Sequence, residues 1–232
     1  MAEQLIDKTH SLFDFGGVAS EYDSWYDTAV GQMYDQLEKS AVLKVLPPAK
    51  PGDRLLDVGC GTGHWSRFFR SLGFEVVGID ISPEMIEVAR SRDLVHCRFE
   101  VADACRLPFN DASFEIVAAM ATIEFISDSG VAVEEMFRCV KPDGSVIVGT
   151  LNRLAPVNRD RVARGEEPYA SAHLFSPAEL RGLLAPYGRV RMHLSVEESK
   201  HDWAGPLKAI CERLSLRWGQ PRGAFIVAGV RP

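Results

Sequence analysis

Three glycines at alternate positions follow a short apolar run in the segment LLDVGCGTG, residues 55–63. The apolar run predicts a buried strand, and the residues from His64 onward predict a helix. Glycine is needed where a ligand approaches the main chain closely or where a sharp turn demands a positive φ. A turn of this kind presents N–H groups at a helix N-terminus, which favours a carboxylate or phosphate. The segment therefore predicts a strand–turn–helix unit that binds an anionic group.

The rest of the chain alternates between predicted strands and predicted helices. The strands are residues 54–58, 75–79, 97–102, 115–120 and 145–150, with two later ones at 190–196 and 224–230. The helices are residues 64–72, 83–90, 130–139 and 176–184, with a further helical stretch at 203–218. Continuously apolar strands that alternate with helices indicate a parallel sheet covered on both faces.

A chain of 232 residues has the length of a single α/β domain. Residues 17–46 predict two helices with a break at Gly31, so we expect an N-terminal helical cap at about residues 10–46. Residues 141–144 predict a tight turn. The polar, Arg-rich stretch after the fifth strand predicts an insertion at about residues 152–175.

An acidic residue stands at the end of each of the first three predicted strands: Asp57, Asp80 and Asp103. A carboxylate at Asp80 would accept hydrogen bonds from both ribose hydroxyls, and Asp103 would reach an adenine edge. Asp57 would face an ammonium group, which an adenosine carrying an amino acid has and a dinucleotide lacks. The spacing G-x-G-x-G, with His64 in place of a further glycine, also departs from the dinucleotide pattern G-x-G-x-x-G. Three acids at one sheet edge disfavour the alternative that they only cap helices and turns.

Composition excludes several classes of protein. The net charge is −6, and the densest basic stretch, Arg153–Arg164, is interpreted as a solvated face, so we expect no nucleic-acid partner. Five cysteines without a C-x-x-C pair predict free thiols in a reducing compartment, and six scattered histidines predict no metal site. With no signal peptide and no apolar run of about 20 residues, we expect a cytoplasmic protein with no membrane contact.

The chain resembles a known family from about Tyr22 to its C-terminus. The resemblance rests on LLDVGCGTG, VVGIDISPEM, VADACRLPF, SFEIVAAMATIEFI, RCVKPDGSVIVG and HLFSPAELRGLL. These motifs are similar to those of class I S-adenosylmethionine (SAM)-dependent methyltransferases of the type 11 or UbiE-like group. The resemblance implies a Rossmann-like seven-stranded sheet of order 3-2-1-4-5-7-6, with strand 7 antiparallel and helices on both faces. It also implies direct in-line methyl transfer to a small-molecule acceptor.

The same resemblance implies where SAM would bind. Gly59, Cys60 and Gly61, in the loop that Gly63 closes, would pass under its methionine portion. Asp80 would bind the ribose, Ile81 and Met85 would flank the adenine, and Asp103 and Ala104 would meet the adenine edge. Met120 and Ala121 would line the methionine end. Tyr22 or Tyr26 would cover the sulfonium, because an aromatic face attracts a positive charge.

Candidates for catalysis are Glu124, His173 and Tyr26. Glu124, which follows strand four, is a base or an anchor for a cationic amine in one interpretation and a solvated helix-start residue in the other. His173 is either a general base or a surface residue beside the insertion. Other functions stay open: a SAM-binding partner protein without catalysis, a nicotinamide-dependent oxidoreductase, or a methyltransferase acting on protein or RNA. The oligomeric state is not predicted.

Overall fold

A seven-stranded sheet forms the centre of the structure, a computed structural model that describes residues 10–195 and 223–232. The strands are β1 (Arg54–Val58), β2 (Glu75–Asp80), β3 (Cys97–Val101), β4 (Phe114–Met120), β5 (Val140–Leu151), β6 (Arg191–Leu194) and β7 (Phe225–Val230). Their order is β3-β2-β1-β4-β5-β7-β6. The first five pair in parallel, and β7 pairs antiparallel with β5 and β6. The predicted fold class is confirmed.

Helices pack on both faces of this sheet. They are α1 (Ala29–Val42), α2 (His64–Ser71), α3 (Pro83–Ser91), α4 (Ser129–Cys139), α5 (Pro156–Ala163) and α6 (Pro177–Leu184). Short 3-10 helices lie at Phe15–Val18, Tyr22–Asp27, Ile123–Phe125 and Ala185–Tyr187. Of these α-helices, none is long and apolar enough to cross a membrane.

The two faces of the sheet bury alternate residues of each strand, as the period of two requires. Leu56 of β1 packs in one apolar cluster with residues of α4 and α6. Its neighbour Leu55 packs in the other cluster with Val42 of α1 and Phe69 of α2. Both leucines are fully buried, and each contributes on the order of 2 kcal/mol by leaving water.

Two local predictions are wrong. The break between the N-terminal helices lies at Thr28, which caps α1, while Gly31 lies inside α1 and allows close approach to Trp25: a Cβ there would lie 2.0 Å from the Trp25 carbonyl oxygen. Residues 141–144 belong to β5, whose register with β4 shifts between Phe114 and Ile116. The stretch predicted as an insertion after β5 contains helix α5. The helical stretch predicted at 203–218 lies outside the described residues.

Candidate functional site

A cleft of about 640 Å³ opens at the carboxyl ends of the parallel strands, beside the point where the strand order reverses between β1 and β4. Gly59 and Gly61 of the glycine loop form part of its wall. Residues from the next two strand ends complete this side: Asp80, Ile81, Met85, Asp103 and Ala104. Tyr22 and Ala121 also line the cleft. The structure thus brings together residues that the sequence motifs place at one site.

Gly59, Gly61 and Gly63 have positive φ angles of +68°, +53° and +84°, and the space around each of them differs. A Cβ on Gly59 would lie 2.1 Å from the Thr122 methyl group, and one on Gly63 would lie 3.1 Å from the Phe99 ring. A Cβ on Gly61 would meet only the Met85 sulfur, at 4.0 Å. Gly59 and Gly63 therefore serve packing, whereas Gly61 leaves its free side to the cleft.

Asp80 connects two elements of the cleft. Its Oδ2 accepts a hydrogen bond from the Gly61 N–H and its Oδ1 accepts one from the Ser82 N–H, both at 2.9 Å. Ser82 in turn caps α3 through the Met85 N–H. One carboxylate therefore holds both the glycine loop and the N-terminus of α3 in place.

Three of the residues predicted to bind the cofactor, Asp57, Cys60 and Met120, do not line the cleft with their side chains. Asp57 is buried behind the glycine loop, where the Ser66 hydroxyl donates to its Oδ2 at 2.6 Å and burial raises its pKa to about 7. The Cys60 thiol packs against Phe99 under the loop, and Met120 lies in the core. Any contact that Cys60 makes with a ligand would come from its main chain.

The N-terminal segment closes the side of the cleft beside Asp103, a contribution that the sequence motifs do not predict. His10 Nδ1 contacts Asp103 Oδ2 at 2.6 Å, and Phe15 packs edge to face on Phe125 with ring centroids 4.9 Å apart. The segment pairs with the residues after β4, since the Leu12 N–H donates to the Phe125 carbonyl. His10, Asp103 and Cys105 each offer one atom that could coordinate a metal ion, and these atoms lie within 4.8 Å of one another.

The 3-10 helix Tyr22–Asp27 folds over the glycine loop. The Thr62 hydroxyl donates to Asp23 at 2.7 Å, and Arg92 forms an ion pair with the same carboxylate. Tyr26 stacks on the His64 ring at a centroid separation of 3.7 Å, so it packs on α2 and does not line the cleft. Tyr22 does line the cleft, and burial is the main cause that raises the pKa of both tyrosines.

Glu124 is fully buried, so the interpretation of a solvated helix-start residue is wrong. Its Oε1 accepts from the Leu151 N–H at 3.0 Å, and its carbonyl accepts from the His173 N–H at 2.7 Å. Its Oε2 is buried with no hydrogen-bond partner within the usual distance, although the nearby Thr150 hydroxyl lowers the pKa. Burial dominates and raises the pKa of Glu124 to about 7.

His173 has an exposed side chain that lines a separate groove with Arg153 and Glu179. Its ring packs edge to face on Phe175, with centroids 5.1 Å apart. The structure therefore places this candidate outside the cleft. Arg153 forms an ion pair with Glu179, which accords with the interpretation of the basic stretch as a solvated face.

Glu38 on α1 is a candidate functional residue that the sequence analysis does not name. It is half-buried, and burial, with the Asp35 and Glu124 carboxylates adding to it, raises its pKa to about 8. The sequence does carry a signal for its burial: Glu38 lies three residues before Ala41 and four before Val42, and both of these residues are on the buried face of the helix.

The Rossmann-like sheet, the glycine loop and the acids at successive strand ends are features that the resemblance to SAM-dependent methyltransferases implies. Residues 56–148 match the family model described as the methyltransferase domain. The match supports the predicted resemblance.

Sequence relatives include two methyltransferases with different acceptors. Over 126 residues the chain is 34% identical to a malonyl-[acyl-carrier protein] O-methyltransferase of Serratia marcescens, covering 54% of this chain and 48% of that protein. Over 139 residues it is 35% identical to a demethylmenaquinone methyltransferase of Streptomyces griseus, covering 60% and 58%. The chain spans about half the length of the curated relatives it matches.

Among solved structures, a SAM-dependent methyltransferase of Thermotoga maritima, described as a possible histamine N-methyltransferase, superposes with a TM-score of 0.71. The superposition covers 94% of this chain and 98% of that one at 25% identity. The likeness therefore extends beyond the matched family segment to nearly the whole fold.

Proposed function

We propose that the chain binds SAM in the cleft and transfers its methyl group to a small-molecule acceptor. The observation that carries this proposal is the Gly61 main chain, which faces the open cleft and is held by Asp80. A cofactor with a carboxylate, a ribose and an adenine fits loop N–H groups, Asp80 and Asp103 in that order along the strand ends.

SAM would supply a methyl group already activated by the positive sulfonium. The protein would then contribute alignment and the exclusion of water. The glycine loop and Asp80 would hold the cofactor from below. Tyr22 and the N-terminal segment would cover it, since both line the cleft from the other side.

The proposal names the acceptor only by its class, a small molecule. The relatives are named for a carboxyl group on a carrier protein and for a quinone, so the shared sequence does not select the acceptor. The segments that face the cleft from outside residues 56–148, including Tyr22 and Phe15, lie beyond the family match. We expect these segments to determine acceptor choice.

Calorimetry with S-adenosylhomocysteine and NADH tests the cofactor, and product formation from SAM with a metabolite extract tests catalysis. Binding of S-adenosylhomocysteine alone, followed by turnover, would support the proposal. Binding without turnover favours a non-catalytic partner protein. Binding of NADH alone would replace the proposal with an oxidoreductase.

A further inference from the structure

Three side chains of types that bind transition metals meet beside the cleft: His10, Asp103 and Cys105. The His10 Nδ1 and Asp103 Oδ2 atoms are 2.6 Å apart, and the candidate ligand atoms of the three residues all lie within 4.8 Å of one another. We call this group the His–Asp–Cys cluster. His10 lies 93 positions from Asp103, so the cluster depends on the fold, and the scattered histidines of the sequence gave no signal for it.

Hydrogen bonds hold the His–Asp–Cys cluster in its arrangement. The Cys105 N–H donates to Asp103 Oδ1 at 2.8 Å, while Asp103 Oδ2 contacts His10. The Ser127 N–H donates to the His10 carbonyl at 2.9 Å, and the Cys105 thiol donates to the Asp128 carbonyl at 3.6 Å. The N-terminal segment, the segment after β3 and the segment before α4 therefore meet at one point.

The donor set of the cluster is one that zinc prefers. Zn²⁺ is bound in proteins by imidazole nitrogen, thiolate sulfur and carboxylate oxygen, and a site with three protein ligands keeps its fourth position for water or another ligand. Tetrahedral bonds of about 2.0–2.3 Å place ligand atoms about 3–4 Å apart, a spacing that small side-chain rotations reach from the one observed. Mg²⁺ and Ca²⁺ prefer oxygen ligands, so the nitrogen and the sulfur disfavour them.

The surroundings of Cys105 also favour a cation. Burial raises the pKa of its thiol to about 11, and the carboxylates of Asp103, Asp128 and Glu135 add to this rise. Glu135 forms an ion pair with Arg138, so its own charge is offset. A carboxylate raises the pKa of a neighbouring thiol because it disfavours a second negative charge, and the same field attracts a positive ion. Zn²⁺ would displace the thiol proton on binding.

We propose that His10, Asp103 and Cys105 bind one Zn²⁺ ion and that this ion competes with the cofactor for the cleft. The competition rests on the proposed function, whereas the metal site does not. His10 and Asp103 both line the cleft, and Asp103 is the residue predicted to meet the adenine edge. An ion between them would withdraw this carboxylate from the cofactor and tie the N-terminal segment to the end of β3.

The affinity for Zn²⁺, measured on the whole chain by competition with a chromophoric chelator, tests the site. Loss of an outer-shell partner of a metal ligand costs about 10–100-fold in affinity, so loss of a ligand in His10→Ala or Cys105→Ser should cost about a hundredfold or more. The matched controls are His193→Ala in β6 and Cys97→Ser in β3, which lie outside the cluster and should leave the affinity unchanged. Absence of binding, or equal affinities in all these variants, would overturn the site.

Co²⁺ in place of Zn²⁺ distinguishes a lost ligand from a disturbed fold. The unmodified protein and Cys97→Ser should show the charge-transfer absorption of a thiolate bound to the metal. At saturating Co²⁺ this absorption should persist in His10→Ala, which keeps the thiolate, and be missing from Cys105→Ser. A Co²⁺ complex of the unmodified protein without that absorption would contradict the assignment of Cys105 as a ligand.

Calorimetry with S-adenosylhomocysteine, with and without Zn²⁺, tests the competition. Zn²⁺ should weaken S-adenosylhomocysteine about tenfold or more in the unmodified protein. Cys105→Ser should not show this loss, a comparison that cancels any binding of Zn²⁺ to S-adenosylhomocysteine itself. An equal effect in both proteins would refute the competition. Failure of S-adenosylhomocysteine to bind in the absence of Zn²⁺ would instead refute the proposed function, while the Zn²⁺ affinities still decide the metal site.

Discussion

The Gly61 N–H and the Asp80 carboxylate are joined by a hydrogen bond of 2.9 Å across the floor of the cleft. The bond fixes the loop residue whose open side faces the ligand space to the end of β2. The same carboxylate also accepts a hydrogen bond from the Ser82 N–H. Replacing Asp80 would therefore loosen both the glycine loop and the N-terminus of α3. Cofactor affinity should therefore be more sensitive to Asp80 than to any acid on the surface.

Asp80→Asn should weaken S-adenosylhomocysteine about tenfold and Asp80→Ala about a hundredfold, because asparagine keeps one acceptor oxygen and alanine keeps none. Calorimetry on both variants measures the difference. Asp143→Ala, which removes an exposed aspartate from β5, is the control. Equal affinities for Asp80→Ala and Asp143→Ala would refute the role of this carboxylate.

Gly61→Ala should abolish cofactor binding and leave the fold intact. The added Cβ would project into the cleft and meet only the Met85 sulfur, so the remaining cost is that of a positive φ, about 1 kcal/mol. Gly52→Ala has the same cost, with a φ of +84° and open space around it, but lies in a turn away from the cleft. Urea titration should show similar stabilities for the two variants, and calorimetry should show binding only in Gly52→Ala. Full binding by Gly61→Ala would mean that the loop does not contact the cofactor.

Glu124→Gln should stabilise the protein increasingly as the pH rises from 5 to 8. The pKa of Glu124, raised to about 7 in the folded state, means that folded protein retains a proton which unfolded protein has lost. Ionisation of Glu124 therefore lowers the free energy of unfolding of the unmodified protein. This loss grows as the pH rises through that window and reaches about 1–3 kcal/mol. Glutamine still accepts from the Leu151 N–H and never ionises. A stability difference that is the same in urea titrations at both pH values would contradict this.

Asn158 should be essential for attaching α5 to the sheet. It is fully buried, and its amide donates to the carbonyls of Asn152, at 3.0 Å, and Ala224, at 2.8 Å. Asn158→Ala should lower the free energy of unfolding by about 1–3 kcal/mol. Asn158→Asp should lower it further at pH 8 than at pH 5, because an ionised carboxylate repels both carbonyls. Asn110→Asp, at an exposed loop position, is the matched control and should change little in either titration.

The sheet was predictable because its inner strands are mostly apolar and because the glycines, acids and turns that end them lie within a few residues. The same holds for the capping box at Ser176 and Glu179. Helix α5 escaped prediction because it lacks an apolar face: of its residues only Asn158 is buried, and a polar residue carries no periodic signal.

The candidate site was predictable only on its sheet side. Gly61, Asp80 and Asp103 follow their strands directly, so position along the chain fixes their place. His10 reaches the same region through the packing of a distant segment, since it lies 93 positions from Asp103. Contacts of that kind depend on tertiary structure, which local patterns do not encode. Glu124 shows the same limit, since its burial depends on β5 and on the residues around His173.

Tyr22, which precedes β1, lines the cleft from outside the matched segment 56–148, whereas Gly61 and Asp80 line it from inside that segment. Under the proposed function, substitutions or exchanged segments in residues 10–46 and 152–175 would change the acceptor, while residues 56–148 would still bind the methyl donor. A chimera that receives both outer segments from a relative should inherit that relative's acceptor, whereas one that receives a single segment should accept neither molecule well. The architecture thus separates what evolution must preserve from what it is free to change.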